Sequence, residues 1–474
     1  MAEQLDHEDI QGPVLRGYGR LVAASYLLLE IGDAAAARTW LGSLADEITT
    51  SDVQREDSAL NVAFTAAGLK KLGLPSEVLG MFSLEFLDGM ATTQRSRLFG
   101  DIEESAPERW GWGGPSTPPI DALLMLFTRD DALLAEAYAR HSRRAHDSGL
   151  RQITKLDTSN LGFKEHFGFR DGVSQPAIAG SSRSAPPMHT IQAGEFLLGY
   201  LNEHGQYTDR PTLDASLDPR HLLPTDAGGS GKVDLGRNGS YLVFRQLRQD
   251  VRGFWQFMDR ETKNADGASN EAARTKLAAK MVGRWPSGAP LAQAPERDDP
   301  ALATDNDFTY YGIDQSGFGC PIGAHVRRAN PRDSLEPGPG TQKSINVNKG
   351  HRLIRRGREY GQAVDPATLF TTPPSAQSDE EDRGLHFVCL CGNIAQQFEF
   401  IQHTWIMNPK FDDLYDDSDP LLGTHEQRDA SFTLQAQPVR TRIMGLPRFV
   451  TVRGGAYFFL PGRRALRYLA SLTG

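Results

Sequence analysis

The stretch Cys320-Pro321-Ile322-Gly323-Ala324-His325-Val326-Arg327-Arg328-Ala329-Asn330-Pro331-Arg332 sets one histidine among three arginines, in a chain whose formal charge is −9. Lys349, His351, Arg352, Arg355, Arg356 and Arg358 follow closely. Basic density of this kind in an acidic protein points to an anionic ligand. A charged face that serves only solubility is the plainer alternative. A lone histidine is more often structural than a ligand, but a neutral imidazole is also a common metal ligand. His325 is therefore read as a candidate ligand whose neighbours decide its role.

Two other segments supply suitable neighbours. In Lys164-Glu165-His166-Phe167-Gly168-Phe169-Arg170-Asp171-Gly172-Val173-Ser174-Gln175-Pro176, glycines flank an aspartate. Glycine permits tight backbone and close approach to a flat group, so Asp171 could lean over a bound ligand. The same residues also suit an ordinary Asp-Gly turn. In Arg383-Gly384-Leu385-His386-Phe387-Val388-Cys389-Leu390-Cys391 the alternation predicts a strand with Leu385, Phe387 and Cys389 on one face. Leu385 and Phe387 would form a dry wall over a reactive centre, or plain sheet core.

Composition narrows the rest. At ~150 residues per domain, 474 residues allow two or three domains. The pI of about 5.8 disfavours a general nucleic-acid binder. No apolar run approaches the ~20 residues of a membrane helix. The first residues are acidic and lack the basic and apolar regions of an export signal. Three cysteines cannot all pair within one chain, and Cys389 and Cys391 point the same way on a strand. Reduced thiols in the cytoplasm are the expectation. Glycine-rich fragments at Gly228–Val233 and Gly338–Ser344 lack residues that a phosphate-binding loop needs.

Periodicity predicts α+β texture in both halves. Strands are expected at Ala24–Ile31, Ser58–Phe64, Asp121–Thr128, Gly239–Leu247, Leu385–Leu390 and Ala456–Leu460. Helices are expected at Ala34–Ile48, Ala66–Leu72, Asp131–Arg144, Val251–Asp259, Ile394–Thr404 and Arg463–Leu472. Gly205–Arg237 and Asp259–Asp307 read as long polar loops, of a length that is uncommon unless it serves a site. The acidic runs Ser378–Arg383 and Phe411–Asp419 read as solvated surface. Two copies of one unit, each a sheet covered by helices, would explain the repetition.

Taken together, these segments resemble the dye-decolorizing peroxidase family over most of the chain. Its GxxDG motif is matched by Gly168, Asp171 and Gly172, and its iron-binding histidine segment by Cys320–Arg332. An apolar-Arg run ending in Tyr-Gly is matched by Leu353–Gly361, with Arg355 in the arginine position. Leu385 and Phe387 match its apolar pair, and Gly454–Pro461 its closing strand.

The resemblance implies an α+β fold of two ferredoxin-like modules, each an antiparallel sheet flanked by helices. The expected division is 1–200 and 201–474, with heme b chiefly in the second. It implies a peroxidase that reduces hydrogen peroxide and oxidises bulky phenolic or dye-like aromatic reductants, partly by long-range electron transfer. It implies no nucleic-acid and no membrane partner. His325 would bind the iron, with Arg327, Gly168 and Gly172 around the cofactor, and Asp171 and Arg355 would act on the peroxide. Asp419 would back the histidine, with Asp429 as the fallback. Trp405, and less strongly Tyr360, would carry electrons at the surface. The competing expectation on this scaffold is a non-catalytic haem carrier or iron-release protein.

Overall fold

A computed structural model describes residues 3–365, 369–370, 382–425 and 430–473. The first half runs β1 (Ala23–Ile31), α1 (Ala34–Ala45), β2 (Ser58–Phe64), β3 (Ala122–Thr128), α2 (Asp131–Asp147) and β4 (Leu150–Asp157). The second runs β5 (Ser240–Gln249), α3 (Val251–Glu261), α4 (Glu271–Val282), α5 (His325–Ala329), β6 (Ile354–Arg355), β7 (Arg358–Tyr360), β8 (Gly384–Cys391), β9 (Val450–Leu460) and α6 (Arg463–Ser471). Each half has the same strand order, second-third-first-fourth, with antiparallel neighbours. These are the two ferredoxin-like modules that the family resemblance implies.

The two sheets are joined. The order is β6-β8-β5-β9-β2-β3-β1-β4, with β7 also on β8, so nine strands make one continuous sheet. The joint is narrow: β9 meets β2 only at Phe459 opposite Phe64. Both faces are covered. Leu27, Val62, Val243 and Cys389 belong to one core, and Leu28, Ala63, Phe244 and Val388 to the other. Burial on both faces explains why β1 and β3 read as unbroken apolar runs rather than alternating ones. Helix starts follow local chemistry. The carboxylates of Asp33, Asp130 and Asp250 accept hydrogen bonds from the backbone N–H groups of Ala36, Leu133 and Gly253, which would otherwise be unpaired.

The structure corrects several expectations. Asp259–Asp307 is not all loop, because it contains α4. Asn270 caps that helix, its Oδ1 3.0 Å from the Ala273 nitrogen, and Leu277, Ala278 and Met281 are buried. The flanking Asp, Gly and Pro hide this Ala-rich segment in a composition average. β4 was not anticipated, since LRQITKLD is half polar; it is an edge strand and only partly buried. Ile394–Thr404 is wound as two π-helical turns, Ala395–Glu399 and Ile401–Ile406. Phe411–Asp419 is not simply solvated surface, because Phe411, Asp417 and Asp419 are buried. Residues 378–381 lie outside the described residues.

The narrow joint generates a prediction. Phe459 is fully buried, with its ring centroid 5.0 Å from that of Phe82. Phe459→Ala should cost about 3–5 kcal/mol and Phe459→Leu less than about 1.5 kcal/mol. Urea unfolding followed by circular dichroism should show a clearly lower midpoint for the alanine variant and a midpoint near wild type for leucine.

Candidate active site

His325 is the first residue of α5, a short helix entered through a turn in which the Ala324 N–H donates to Pro321 O. Its Nδ1 lies 2.9 Å from Oδ2 of Asp419. Asp419 is buried, and its other oxygen accepts the N–H groups of Leu421 (2.9 Å) and Leu422 (2.8 Å). Burial works against the Asp419 charge, but His325, Arg328 and these N–H groups outweigh it and hold its pKa below the ordinary range. With Asp419 ionised, Nδ1 carries the hydrogen. Nε2 is left with its lone pair and meets no donor or acceptor among the described residues. Asp419 therefore fills the expected backing position; the fallback, Asp429, lies outside the described residues.

Asp171 and Arg355 meet although 184 positions separate them, with Nη1 2.6 Å from Oδ1. The Gly172 N–H also donates to that oxygen, at 2.6 Å. Burial raises the Asp171 pKa, yet the Arg355 charge and these hydrogen bonds bring it below the usual value. Gly168 and Gly172 have φ of +95° and +79°, which favours glycine, although a Cβ at either would meet nothing within 4 Å. The glycines serve the backbone turn around Asp171 rather than relieve crowding.

Register sets the far side of the site. Arg355 on β6 lies opposite Cys389 on β8, so its side chain shares a face with Cys389, Phe387 and Leu385. Leu385 and Phe387 are only partly buried on that face, as expected of a wall. Gln175 holds the loop to the strand, because its side-chain amide accepts the Arg355 N–H and donates to the Arg355 carbonyl, each at 3.1 Å. Sequence reasoning quoted Gln175 without assigning it a role; it lies in a loop, where no periodic signal marks it. The charges of Arg355 and Asp171 also reach His325, the first disfavouring and the second favouring the imidazolium. Burial lowers the His325 pKa, and Asp419 more than compensates, so the net direction is upward. One imidazole, one carboxylate and one guanidinium thus share a single electrostatic neighbourhood.

The remaining cations do something other than expected. Arg327 is completely buried and donates to the carbonyls of Asp314, Cys320 and Gln315, with Tyr310 beneath its guanidinium. It is not brought to a ligand, because its fork is consumed in holding the loop before α5. Arg328 is equally buried and donates to the carbonyls of Gly323, Trp405, Asn408 and Asp417, tying α5 to the segment that carries Asp419. Sequence reasoning missed this bracing role. Arg352 differs. It is buried, makes only a 3.3 Å bond to Ser174 O and a 3.5 Å contact with His189, and has no carboxylate partner among the described residues. Burial and the charges of Arg332 and Arg355 press its pKa down to about 9.

The two aromatic candidates are not surface groups. Trp405 is 4% exposed and lies against His351 and Phe400, whose rings stack 4.0 Å apart. Tyr360 is 5% exposed, stacks on His386 at 4.5 Å and places its hydroxyl 3.1 Å from Asp382. Both were expected at the surface because sequence position shows exposure poorly for aromatic residues.

A small cavity of about 60 Å³ lies beside the wall, lined by Phe387 and Leu247 from the sheet and by Leu422 and Gly423, but not by His325, Asp171 or Arg355. Arg245, which donates to buried Asp101, also lines it. Among the described residues no helix is long and apolar enough to cross a membrane, and no cluster of three His, Cys, Asp or Glu side chains could hold a metal ion.

No family model matches the chain. It is 30% identical over 98% of its length to the dye-decolorizing peroxidase of Exidia glandulosa, of which it covers 86%. It is likewise 30% identical over 99% of its length to the dye-decolorizing peroxidase msp1 of Mycetinis scorodonius, of which it covers 88%. The fold is similar to the crystal structure of a fungal DyP-type peroxidase from Auricularia auricula-judae, with a TM-score of 0.80, 27% identity and 99% and 100% of the two chains covered. A deferrochelatase of Yersinia pestis matches only 24% of the chain, at 33% identity.

The ion pair makes a measurable prediction about Asp171. Arg355→Leu removes the charge that lowers the Asp171 pKa and leaves the burial that raises it. Its titration midpoint, read by carbon NMR of the carboxyl, should move from below the ordinary ~3.9 to above it. A midpoint that stayed below the ordinary value would show that Arg355 does not hold the charge.

Proposed function

Because this chain belongs to the dye-decolorizing peroxidase family, we propose that His325, Asp171 and Arg355 are the groups with which it performs the family reaction. The protein is a haem peroxidase that reduces hydrogen peroxide and oxidises dyes. Its residues fit the cofactor. A single unpartnered imidazole nitrogen faces the neighbourhood of an acid and a guanidinium. Leu385 and Phe387 stand partly buried on the face that carries Arg355, an apolar wall of the kind a flat macrocycle would lie against. Arg352 supplies positive potential with no carboxylate partner among the described residues, which suits the carboxylates that haem carries.

When bound, haem supplies an iron that cleaves the peroxide O–O bond and passes the resulting oxidising equivalents to the donor. His325 would hold that iron through Nε2. The Nδ1–H···Asp419 bond fixes the ring's tautomer and orientation and raises its basicity as a ligand. Asp171 would accept a proton from one oxygen of hydrogen peroxide and return it to the other, which departs as water. Its lowered pKa keeps it a base in mildly acidic solution. Arg355 would stabilise the negative charge that develops on the departing oxygen. Leu385 and Phe387 would exclude bulk water from the reacting side. The observation that carries these roles is the 2.6 Å Asp171–Arg355 pair within the electrostatic reach of His325.

We infer heme b specifically, because the sequence has no Cys-x-x-Cys-His attachment segment and all three cysteines are free and buried. Those free thiols also support a cytoplasmic setting. We assign bulky phenols and anthraquinone-type dyes as donors. Trp405 would exchange electrons with them through the partly buried His351–Phe400 pair that covers it, while Tyr360, stacked on buried His386, would act as an internal relay. The division near residue 200 agrees with a site that draws Asp171 from the first part and His325, Arg355 and Asp419 from the second. A haem carrier or iron-release protein is the weaker reading, since the deferrochelatase likeness covers a quarter of the chain.

Absorption spectroscopy and stopped-flow peroxide mixing test this reading. The purified protein loaded with haem should show a Soret band that responds to one equivalent of peroxide. His325→Ala should lose that band or shift it strongly. Asp171→Asn should keep the band and slow the peroxide reaction by about 10²–10⁴-fold. A haem-loaded wild type that did not respond to peroxide would favour the carrier, and an unaltered rate in Asp171→Asn would remove that residue from the chemistry.

A further inference from the structure

We propose that Glu165 is the positioning residue of the hairpin that carries Asp171, and that it holds the hairpin in its protonated form, sharing the proton with the side-chain amide of Gln249; this rests on the peroxidase reading above for the reaction that it serves. The hairpin runs from Phe163 to Asp171, where the Asp171 N–H donates to the Phe163 carbonyl at 3.0 Å. Its turn is built on one residue. Three successive backbone N–H groups end on Glu165: Phe167 on Oε2 at 2.8 Å, Gly168 on the carbonyl at 2.8 Å and Phe169 on Oε1 at 2.9 Å. The Glu165 N–H closes the turn by donating to the Phe169 carbonyl at 3.0 Å. The Gln249 amide, at the end of β5, meets Oε2 at 2.7 Å and fastens the turn to the sheet. Gln175 thus holds the chain after Asp171, and Glu165 holds the chain before it. Without the Glu165 side chain, the Phe167 and Phe169 N–H groups would lose their acceptors.

What the turn lacks is a cation. Every donor on the Glu165 carboxyl is neutral, and it has no ion pair among the described residues. β5 meets it through an amide. α3 packs on Phe167 through Phe254, stacked at 4.4 Å, and through Trp255, which donates to the Phe167 carbonyl at 3.2 Å. His166 turns its ring to the Tyr360 carbonyl, 2.8 Å away, and Arg355 is bonded to Asp171. Lys164 and Arg170, a bridge pair in the hairpin, form no ion pair with it. The charge that acts on Glu165 is that of Asp171, a second anion on the same hairpin. Glu165 is partly buried, and burial, with Asp171, pushes its pKa up to about 7, since the three hydrogen bonds offset this only in part. Two carboxyls whose surroundings drive their pKa values apart divide into an acid and a base. Asp171, held below the usual value, is the base, and Glu165 keeps its proton.

That proton has an acceptor. The Gln249 carbonyl oxygen is buried without a partner among the described residues, so the amide loses no bond by turning over. Its two ends are nearly alike in shape and opposite in hydrogen-bonding role. Oε2 of Glu165 then donates its O–H to that oxygen while still accepting from Phe167. Ionisation ends this arrangement and sets two negative charges on one hairpin. Asp171 would then hold an accepted proton more tightly and return it more slowly.

Carbon NMR of the haem-free wild-type protein reads the proton directly and needs no variant, because the Glu165 carboxyl is assigned through its own side chain. It should titrate near pH 7. A midpoint at the ordinary ~4.3 would overturn the proposal. In the haem-loaded enzyme, the stopped-flow rate constant for hydrogen peroxide should fall about tenfold between pH ~6 and pH ~8, as the neutral fraction of such a group does. Glu165→Ala should slow the reaction about tenfold across that range, because Asp171 is no longer held in place. Glu165→Gln, which still donates to Gln249 and accepts from Phe169, should recover most of the rate and lack the decline with pH. A flat wild-type profile, or a glutamine variant as slow as the alanine one, would count against the protonated form. A Glu165 midpoint near 7 in a protein that ignored peroxide would refute the peroxidase reading and leave the proton on Glu165.

Discussion

The contact between Asp171 and Arg355 is the constraint on which the site depends. Each side chain is about 31% exposed, and neither charge is well solvated. A carboxylate in that setting would drift toward its neutral form, and an isolated guanidinium would carry an uncompensated charge. Together they keep both charges and fix each other's position. The pair also fastens the Asp171 loop, which Glu165 braces from within, to the strand that carries Arg355. Gln175 adds two backbone hydrogen bonds from the same loop to the Arg355 strand, so the acid is located relative to the sheet as well as to its own segment.

The other side of the site obeys the same logic with different chemistry. Asp419 could be a costly buried charge, but it accepts two backbone N–H bonds as well as the His325 N–H. Arg328 ties together the carbonyls of four residues around it. A guanidinium with five donors suits this task, since several carbonyls can be satisfied by one planar group. The arginine-rich run after His325 is therefore mostly internal framework. Arg352, buried with a single 3.3 Å carbonyl bond and no carboxylate among the described residues, retains the character of an anion-attracting charge. Arginine density alone does not separate these two uses; the number of committed donors does.

The ferredoxin-like arrangement explains why the two sides meet. A strand order of second-third-first-fourth puts β8 and β5 in the middle of the second module. Arg355, Phe387 and Leu385 then project from adjacent strands onto one face, and the crossing segments with α5 and Asp419 cover that face. The edge joint at Phe459 and Phe64 lets two modules share a sheet, leaving β4 and β6 as the outer strands of its order.

Much of this was legible in the sequence. The strands β1, β2 and β3 and helices α1 and α2 are visible because their apolar periodicity is strong and local. His325, Asp171, Arg355 and Asp419 were candidates because short motifs in the family's order carry them; that the four come together is decided by the fold. The α4 helix and β4 strand were obscured, one by the composition of its flanks and the other by its edge position. Whether an aromatic or a cation reaches the surface was not legible at all: Trp405 and Tyr360 are covered, Phe163 is exposed and Arg327 is buried. Local sequence determined which side chains are present and which elements carry them, because backbone propensity and capping act over a few residues. Tertiary structure alone decided which charges are paired and which are spent on carbonyls, because desolvation and hydrogen bonding depend on groups brought together from distant parts of the chain.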